Sequence, residues 1–525
     1  MGRDHIRARA TGSRRLRGTL LALTAAGAVL LTGCSASGSG NSSDGAEKSG
    51  GRNLPLPAPA QPSSATAQGQ QEGEQTGAPD REIAPSPDYL STFALDVDTA
   101  SYGYARRTLA NGRIPDPSTI RPEEFVNSFR QDYERPDGNG FSATVDGART
   151  DDDRWSLVRV GLATRAAEDD RERPPAALTF VIDVSGSMEE PGRLDLAKNS
   201  LDVMTDRLRD DDSLALVTFS DDAETVLPMT RLGDHRGRVH DAIDSLEPQE
   251  STNLGAGVDT GYDTSVEGLR EGATNRVVLI SDALANTGDT DADSILERIS
   301  DARREHGITL FGVGVGSDYG DALMERLADK GDGHTTYVSN KDDARKVFCD
   351  QLPQNIDLTA RDAKAQVAFD PQTVEKFRLI GYDDRKVADE DFRNDRVDGG
   401  EVGPGHTVTA LYAVRTRPGT SGHLATASVR WLDPDTRAPH EESGQLETGS
   451  LEDDLWTSSH GLQVAATAAY FADALRQGDH RWTDLPARPP LSELAVHAEK
   501  LATATEDTEL RRLADAIRQA SRLRD

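Results

Sequence analysis

The sequence predicts an α/β fold with a doubly wound, mostly parallel sheet, inserted beside a β-rich module that is drawn from both ends of the chain and closed by helices. Three observations predict it. Between residues 175 and 352, short and near-continuous apolar segments alternate with helical patterns, as strands covered on both faces by crossover helices do. Before and after that stretch the pattern changes to apolar–polar alternation, which marks antiparallel strands with one buried face. Third, the first apolar segment, Leu178 to Ile182, runs straight into Asp183-Val184-Ser185-Gly186-Ser187, a turn with one carboxylate and two hydroxyls at alternate positions.

The chain has 525 residues, with 59 Lys and Arg against 90 Asp and Glu, a formal net charge of -31, and only 5% aromatic residues. So acidic a surface repels nucleic acid, and no nucleic-acid partner is expected. Two cysteines, Cys34 and Cys349, exclude a disulfide framework. Residues 1–33 read as a secretory signal: Arg3, Arg7, Arg9, Arg14, Arg15 and Arg17, then an apolar run over 20–31, too short for a typical spanning helix. The run ends in Leu31-Thr32-Gly33-Cys34, which resembles a bacterial lipobox, in which the Cys becomes the lipidated first residue; the alternative is an ordinary signal with an incidental Cys. Ser13-Arg14-Arg15 also resembles the start of a twin-arginine signal. The expected location is the extracytoplasmic face of the cell membrane, with the lipid on Cys34 as anchor. Residues 34–87, rich in Gly, Ser, Pro, Gln and Ala, cannot bury enough surface to fold and read as a tether spanning on the order of 40 Å.

Residues 88–174 form an N-terminal module. A strand at 92–97 leads into a helix capped by Asp98 or Thr99, with Asp96 in solvent; the alternative is Asp96 and Asp98 as a second metal pair. A second helix runs through Phe125, Val126 and Phe129, and half-buried strands follow at 141–145 and 156–163. In the 175–352 stretch the strands are 179–182, 214–220, 276–281, 308–313 and 334–338, with helices at 236–246, 292–305 and 321–329. Another helix, after the Asp183 turn, sets Leu194, Ala197, Leu201, Met204 and Leu208 on one face. Residues 353–525 hold strands at 363–369, 376–382, 406–415 and 424–431, then helices at 459–476 and 491–522. With the early strands these form one expected β layer beside the inserted domain.

In open parallel sheets ligands bind beyond the carboxyl ends of strands, and Asp183, Ser185 and Ser187 fall just there. Hard oxygen donors carrying little negative charge suit Mg²⁺ or Mn²⁺ and suit zinc poorly. The alternative is that the three residues only cap a helix.

D-x-S-x-S after a buried strand resembles the first part of the metal-ion-dependent adhesion site of the von Willebrand factor type A (VWA) family. The resemblance implies a Thr and an Asp from two later loops. Thr252, after Glu250-Ser251, and Asp282, after Val277-Val278-Leu279-Ile280-Ser281, stand in that order. It further implies that Ser185, Ser187 and Thr252 bind directly or nearly so, that Asp183 and Asp282 act partly through water, and that a carboxylate of a protein partner completes the shell. Ala283 and Ser251 stand where the family often has Gly. The stretch STFALDVDTASY at 91–102, Arg121-Pro122-Glu123-Glu124-Phe125-Val126-Asn127, and Arg378-Leu379-Ile380-Gly381-Tyr382 are similar to the YfbK-like branch of bacterial VWA lipoproteins.

Other patterns point away from chemistry. Residues 289–293 begin like a calcium-binding EF-hand loop, but Ser294 replaces the required Gly and Ser300 the closing Glu, so the segment reads as a helix start. His306, His334 and His406 stand apart, and no phosphate-binding loop, nucleophile elbow or dinucleotide fingerprint occurs. No general base accompanies the metal ligands, so no enzyme is expected. The expected function is binding of an acidic group of a protein partner through Mg²⁺ or Mn²⁺ at the cell envelope. The alternative is an assembly or chaperone-like scaffold acting with another envelope machine.

Overall fold

A computed structural model of the chain describes residues 88–525, apart from 96, 132, 153, 166–172, 283–288, 316–334, 339, 346, 349–357, 384, 396, 398, 435, 477–484 and 525. The signal, the tether and Cys34 lie outside the described residues, as do Asp96, Ala283, His334, Cys349 and the helix expected at 321–329.

The chain begins with β1 (Leu90–Ala94), α1 (Ala100–Ala110), α2 (Pro122–Asn127), β2 (Phe141–Arg149) and β3 (Trp155–Thr164). Next come β4 (Ala176–Asp183), α3 (Leu194–Arg207), β5 (Ser213–Phe219), β6 (Ala223–Arg231), α4 (Arg236–Asp244) and α5 (Leu254–Glu267). They are followed by β7 (Thr274–Ser281), α6 (Asp289–His306), β8 (Thr309–Val315), β9 (Thr335–Val338) and α7 (Lys341–Arg345). The last part holds β10 (Arg361–Phe369), β11 (Val374–Leu379), β12 (Thr407–Thr416), β13 (His423–Leu432) and β14 (Pro439–Glu447). Helices α8 (His460–Arg476), α9 (Leu491–Thr505) and α10 (Thr508–Arg524) close the chain.

The middle stretch builds a six-stranded sheet in the order β6-β5-β4-β7-β8-β9, parallel except for the edge strand β6. Its strands read as unbroken apolar runs because successive side chains enter two cores. Phe180 and Ile182 pack with Leu201 of α3 and Val239 of α4, whereas Val181 packs with Val258 of α5 and Ile299 of α6. The chain leaves β4 for β5 on one side and later returns to β7 on the other, so the strand order switches at β4. Helix α5 escapes the sequence pattern because Gly255, Gly257 and Gly261 lower its propensity. A Cβ on Gly257 would stand 2.6 Å from Phe219, and one on Gly261 only 2.3 Å from Val181. The missing side chains let the helix lie directly on β4 and β5.

The flanking parts build two antiparallel sheets, β1-β10-β13-β14 and β11-β12-β3-β2, where the sequence pattern predicts one layer. Phe93, Val367 and Val429 of the first share a core with Val158, Val160 and Tyr412 of the second. The other face of the second sheet, with Leu157, Leu411 and Ala413, packs on Phe125 of α2 and on Phe471, Leu494 and Ile517 of the closing helices. β3 and β12 are therefore buried on both faces rather than half-buried. Thr409, polar in the alternating pattern, is buried with its hydroxyl 2.8 Å from that of Tyr133.

Two further expectations are corrected. Neither Asp98 nor Thr99 caps α1: buried Asp98 accepts from the Thr335 amide at 2.7 Å and pairs with Arg385 at 3.1 Å, while Glu124 accepts from the Ser101 amide at 2.8 Å. The single helix expected at 491–522 is two, because Glu506 turns left-handed (φ 56°) and Asp507 caps α10 through the Glu509 amide at 2.7 Å. Edge strand β14 has mostly exposed, polar side chains and carries no apolar signal. The chain enters and leaves the six-stranded sheet at one place: Arg165 and Pro174 before it, and Leu358 and Arg361 after it, line one polar cleft of about 370 Å³. Among the described residues, no helix is long and apolar enough to cross a membrane.

Candidate functional site

β4 and β7 are neighbours in the sheet, so the residues that follow them meet over its carboxyl edge. Asp183, the last residue of β4, is fully buried. Its Oδ1 accepts from the Ser185 amide at 2.8 Å and its Oδ2 from the Ser281 hydroxyl at 2.5 Å. Those bonds fold the turn back over the strand and place Ser185 Oγ 3.1 Å from Ser187 Oγ. Ser187 Oγ in turn donates to Asp282 Oδ1 at 2.8 Å. None of the three turn residues caps α3, whose N-cap position is Arg193. Ser185 is buried and Ser187 exposed, so the oxygens run from under the sheet edge to the surface.

Thr252 lies half-buried in the loop before α5. That loop is tied to both neighbouring strand ends: the Gln249 amide donates to Val184 O at 2.5 Å and the Asn253 amide to Ser220 O at 2.6 Å. Ser220 Oγ also donates to Gln249 Oε1 at 2.8 Å. Asn253 caps α5 by accepting from the Ala256 amide at 3.1 Å. Ser251 is left-handed (φ 74°), a conformation that favours Gly. The structure thus joins Asp183, Ser185, Ser187 and Asp282 by hydrogen bonds and sets the Thr252 loop against them. Among the described residues, the Thr252 hydroxyl has no hydrogen bond to the other four.

Sequence reasoning missed Arg193. Its guanidinium is buried, binds Asp282 Oδ2 through Nη1, donates to Ser187 O at 2.9 Å, and pairs through Nη2 with Glu190 at 2.8 Å. A signal was present in its position. An arginine at the amino end of a helix opposes the helix dipole, so another partner must hold it there.

The electrostatics follow from burial. Burial pushes the Asp183 carboxyl above its usual range; hydrogen bonds from Ser185 and Ser281 pull it back, and the Asp282 charge adds to the rise. Each of the four carboxylate oxygens of the pair accepts from a protein donor, and each has capacity for a second bond. Among the described residues no three His, Cys, Asp or Glu side chains gather to hold a metal ion. An ion here would rely on the hydroxyls of Ser185, Ser187 and Thr252 beside two carboxylates, an all-oxygen set that fits Mg²⁺ or Mn²⁺. The EF-hand-like segment opens α6 at Asp289, as a helix start should.

Three stretches match known families: residues 75–156 "von Willebrand factor", residues 177–349 the von Willebrand factor type A domain, and residues 355–423 "Uncharacterized protein YfbK, C-terminal". The chain is 34% identical over 427 residues to the uncharacterized protein YfbK of Escherichia coli K12, covering 77% of this chain and 73% of that one. It is 26% identical over 184 residues to inter-alpha-trypsin inhibitor heavy chain H3 of Mus musculus, 32% of this chain and 20% of that one. Among solved structures, a von Willebrand factor type A protein from Catenulispora acidiphila aligns with a TM-score of 0.46 at 16% identity, over 73% of this chain and 91% of that one.

Proposed function

The chain belongs to the YfbK-like family of proteins with a von Willebrand factor type A domain, a protein-interaction module, and from that premise we propose metal-dependent adhesion at the cell envelope. In this reading Asp183, Ser185, Ser187, Thr252 and Asp282 hold Mg²⁺ or Mn²⁺, and Cys34 carries the lipid that anchors the protein outside the cell membrane. One observation carries it: the continuous oxygen path from buried Asp183, Ser185 and Asp282 to exposed Ser187, at the strand-order switch where open sheets bind ligands. When bound, the ion supplies positive charge for a partner's carboxylate. Ser187 and the Thr252 loop, at the surface, are the residues such a partner meets first.

One observation favours a scaffold that works without metal: every carboxylate oxygen of the pair is already satisfied by the chain itself. Titration calorimetry of Mg²⁺ and Mn²⁺ into wild type and Asp183→Ala separates the two readings. Adhesion requires that wild type bind the ion and retain an acidic protein partner, that EDTA release that partner, and that Asp183→Ala do neither. Equal ion binding by both proteins leaves the scaffold. For the anchor, Cys34→Ser should move the protein from the detergent phase to the soluble fraction or stall its precursor. Normal processing with continued detergent partitioning would rule the anchor out.

A further inference from the structure

We propose that Arg193 is a resident cation of this site: it occupies Asp282, lowers the affinity for the divalent ion, and leaves the loaded site with one positive charge for an acidic ligand. The inference rests on the metal reading above and concerns its tuning.

The argument is electrostatic and starts from position. Arg193 stands at the amino end of α3, where the helix dipole disfavours a cation. Its side chain is buried, so solvent does not offset that disadvantage. Asp282, Ser187 O and Glu190 are among the partners that hold it. The last two contacts do not involve Asp282, so the guanidinium keeps its place when that carboxylate turns to another cation. Glu190 is 68% exposed, and its charge is largely screened by water. Among the described residues in the buried part of the site, the two carboxylates and one guanidinium therefore leave a single negative charge. A divalent ion reverses that to a single positive charge. Without Arg193 the loaded site would be neutral, with nothing beyond the ion's local field to draw an acidic group. Arg193 thus trades affinity for the ion against affinity for the ligand.

A unit charge on the order of 6 Å from a divalent ion changes its affinity about ten-fold even at the dielectric of water. The test titrates Mn²⁺ into full-length wild type, Arg193→Gln and Arg193→Lys. The expected result is an affinity at least about ten-fold tighter for Arg193→Gln and within about three-fold of wild type for Arg193→Lys, which keeps the charge. A hexaglutamate peptide, titrated into the Mn²⁺-saturated proteins, should bind Arg193→Gln about three-fold more weakly than wild type. Arg193→Gln at wild-type affinity or weaker overturns the inference alone, since the ion still binds. A wild type that binds no ion overturns the metal reading and this inference with it. If Arg193→Gln unfolds in EDTA, melting against Mn²⁺ concentration reads the same affinity. Refolding at Mn²⁺ levels below those that stabilise wild type supports the inference. Failure to fold at any level makes Arg193 a purely structural residue and overturns it.

Discussion

The six-stranded sheet carries a fully buried aspartate at each edge, and the two are opposites. Asp212, at the amino end of β5, accepts from both Nη atoms of Arg173 at 2.8 and 2.6 Å, from the Ala176 amide at 2.8 Å and from the Arg209 amide at 2.7 Å. Burial acts to raise its carboxyl, but the Arg173 fork and the two amides outweigh it, and Asp212 sits below the ordinary carboxylate range. Asp183, at the carboxyl end of the adjacent strand β4, has only neutral donors and a second carboxylate nearby, and sits above that range. Equal burial therefore yields different roles. The chain neutralises the first carboxylate itself, and that charge locks the strand ends together. The donors to the second are a backbone amide and a hydroxyl, which leave its charge in place.

The contrast can be broken at either end. The largest effect belongs to Asp212→Ala, which strands the Arg173 guanidinium; about 3–5 kcal/mol of unfolding free energy should be lost in denaturant melts. A loss below about 1 kcal/mol would erase the distinction between the edges. Next comes the ion. Mg²⁺ or Mn²⁺ at about 100 times its Kd should stabilise wild type by about 2.7 kcal/mol and leave Asp183→Ala unchanged. In EDTA the two should melt within about 1 kcal/mol of each other, because the lost hydrogen bonds are offset by relief of an unneutralised charge.

Acid sharpens the comparison further. The folded-state pKa of Asp212 is depressed, so its contribution is complete above the unfolded value of about 3.9 and disappears as pH falls through the folded value. Asp212→Asn should flatten that part of the stability–pH curve. The smallest effect is on the flank. His240 bridges α4 to Asp202 and Asp206 of α3 at 2.8 and 3.1 Å, and its pKa is raised, first by Asp202. That clamp is complete below about pH 6.5 and is lost as pH rises through the folded value. His240→Ala should remove this slope, which amounts to less than about 1 kcal/mol at such an exposed site.

The parallel sheet was legible because two-sided burial forces unbroken apolar strands, and Asp183, Ser185 and Ser187 because one short turn carries all three. Thr252 and Asp282 came into view only through a family resemblance, since their loops meet the turn through the sheet and not through the sequence. Arg193 was hidden by its ordinary spelling, a basic residue before a leucine-rich helix. Helix α5 was hidden by glycines whose purpose is contact with Phe219 and Val181. The second β layer was hidden because Thr409 looks polar in sequence, while its hydroxyl meets that of Tyr133, far away along the chain.

The shared cleft at which the chain enters and leaves the six-stranded sheet sets an order of assembly. β1 must pair with β10, Leu90 against Ala368, across the whole intervening stretch. During synthesis β1, β2 and β3 emerge first and lack the strands that cover them. Closing so long a loop carries an entropic cost that falls by about 0.6 kcal/mol with each halving of its length. Once the parallel sheet has folded, Pro174 and Leu358 line one cleft, and the effective loop loses the whole stretch between those two residues. The middle of the chain thus acts as an internal brace: among the described residues its strands pair only with one another, and its two ends bring the flanking segments to one cleft.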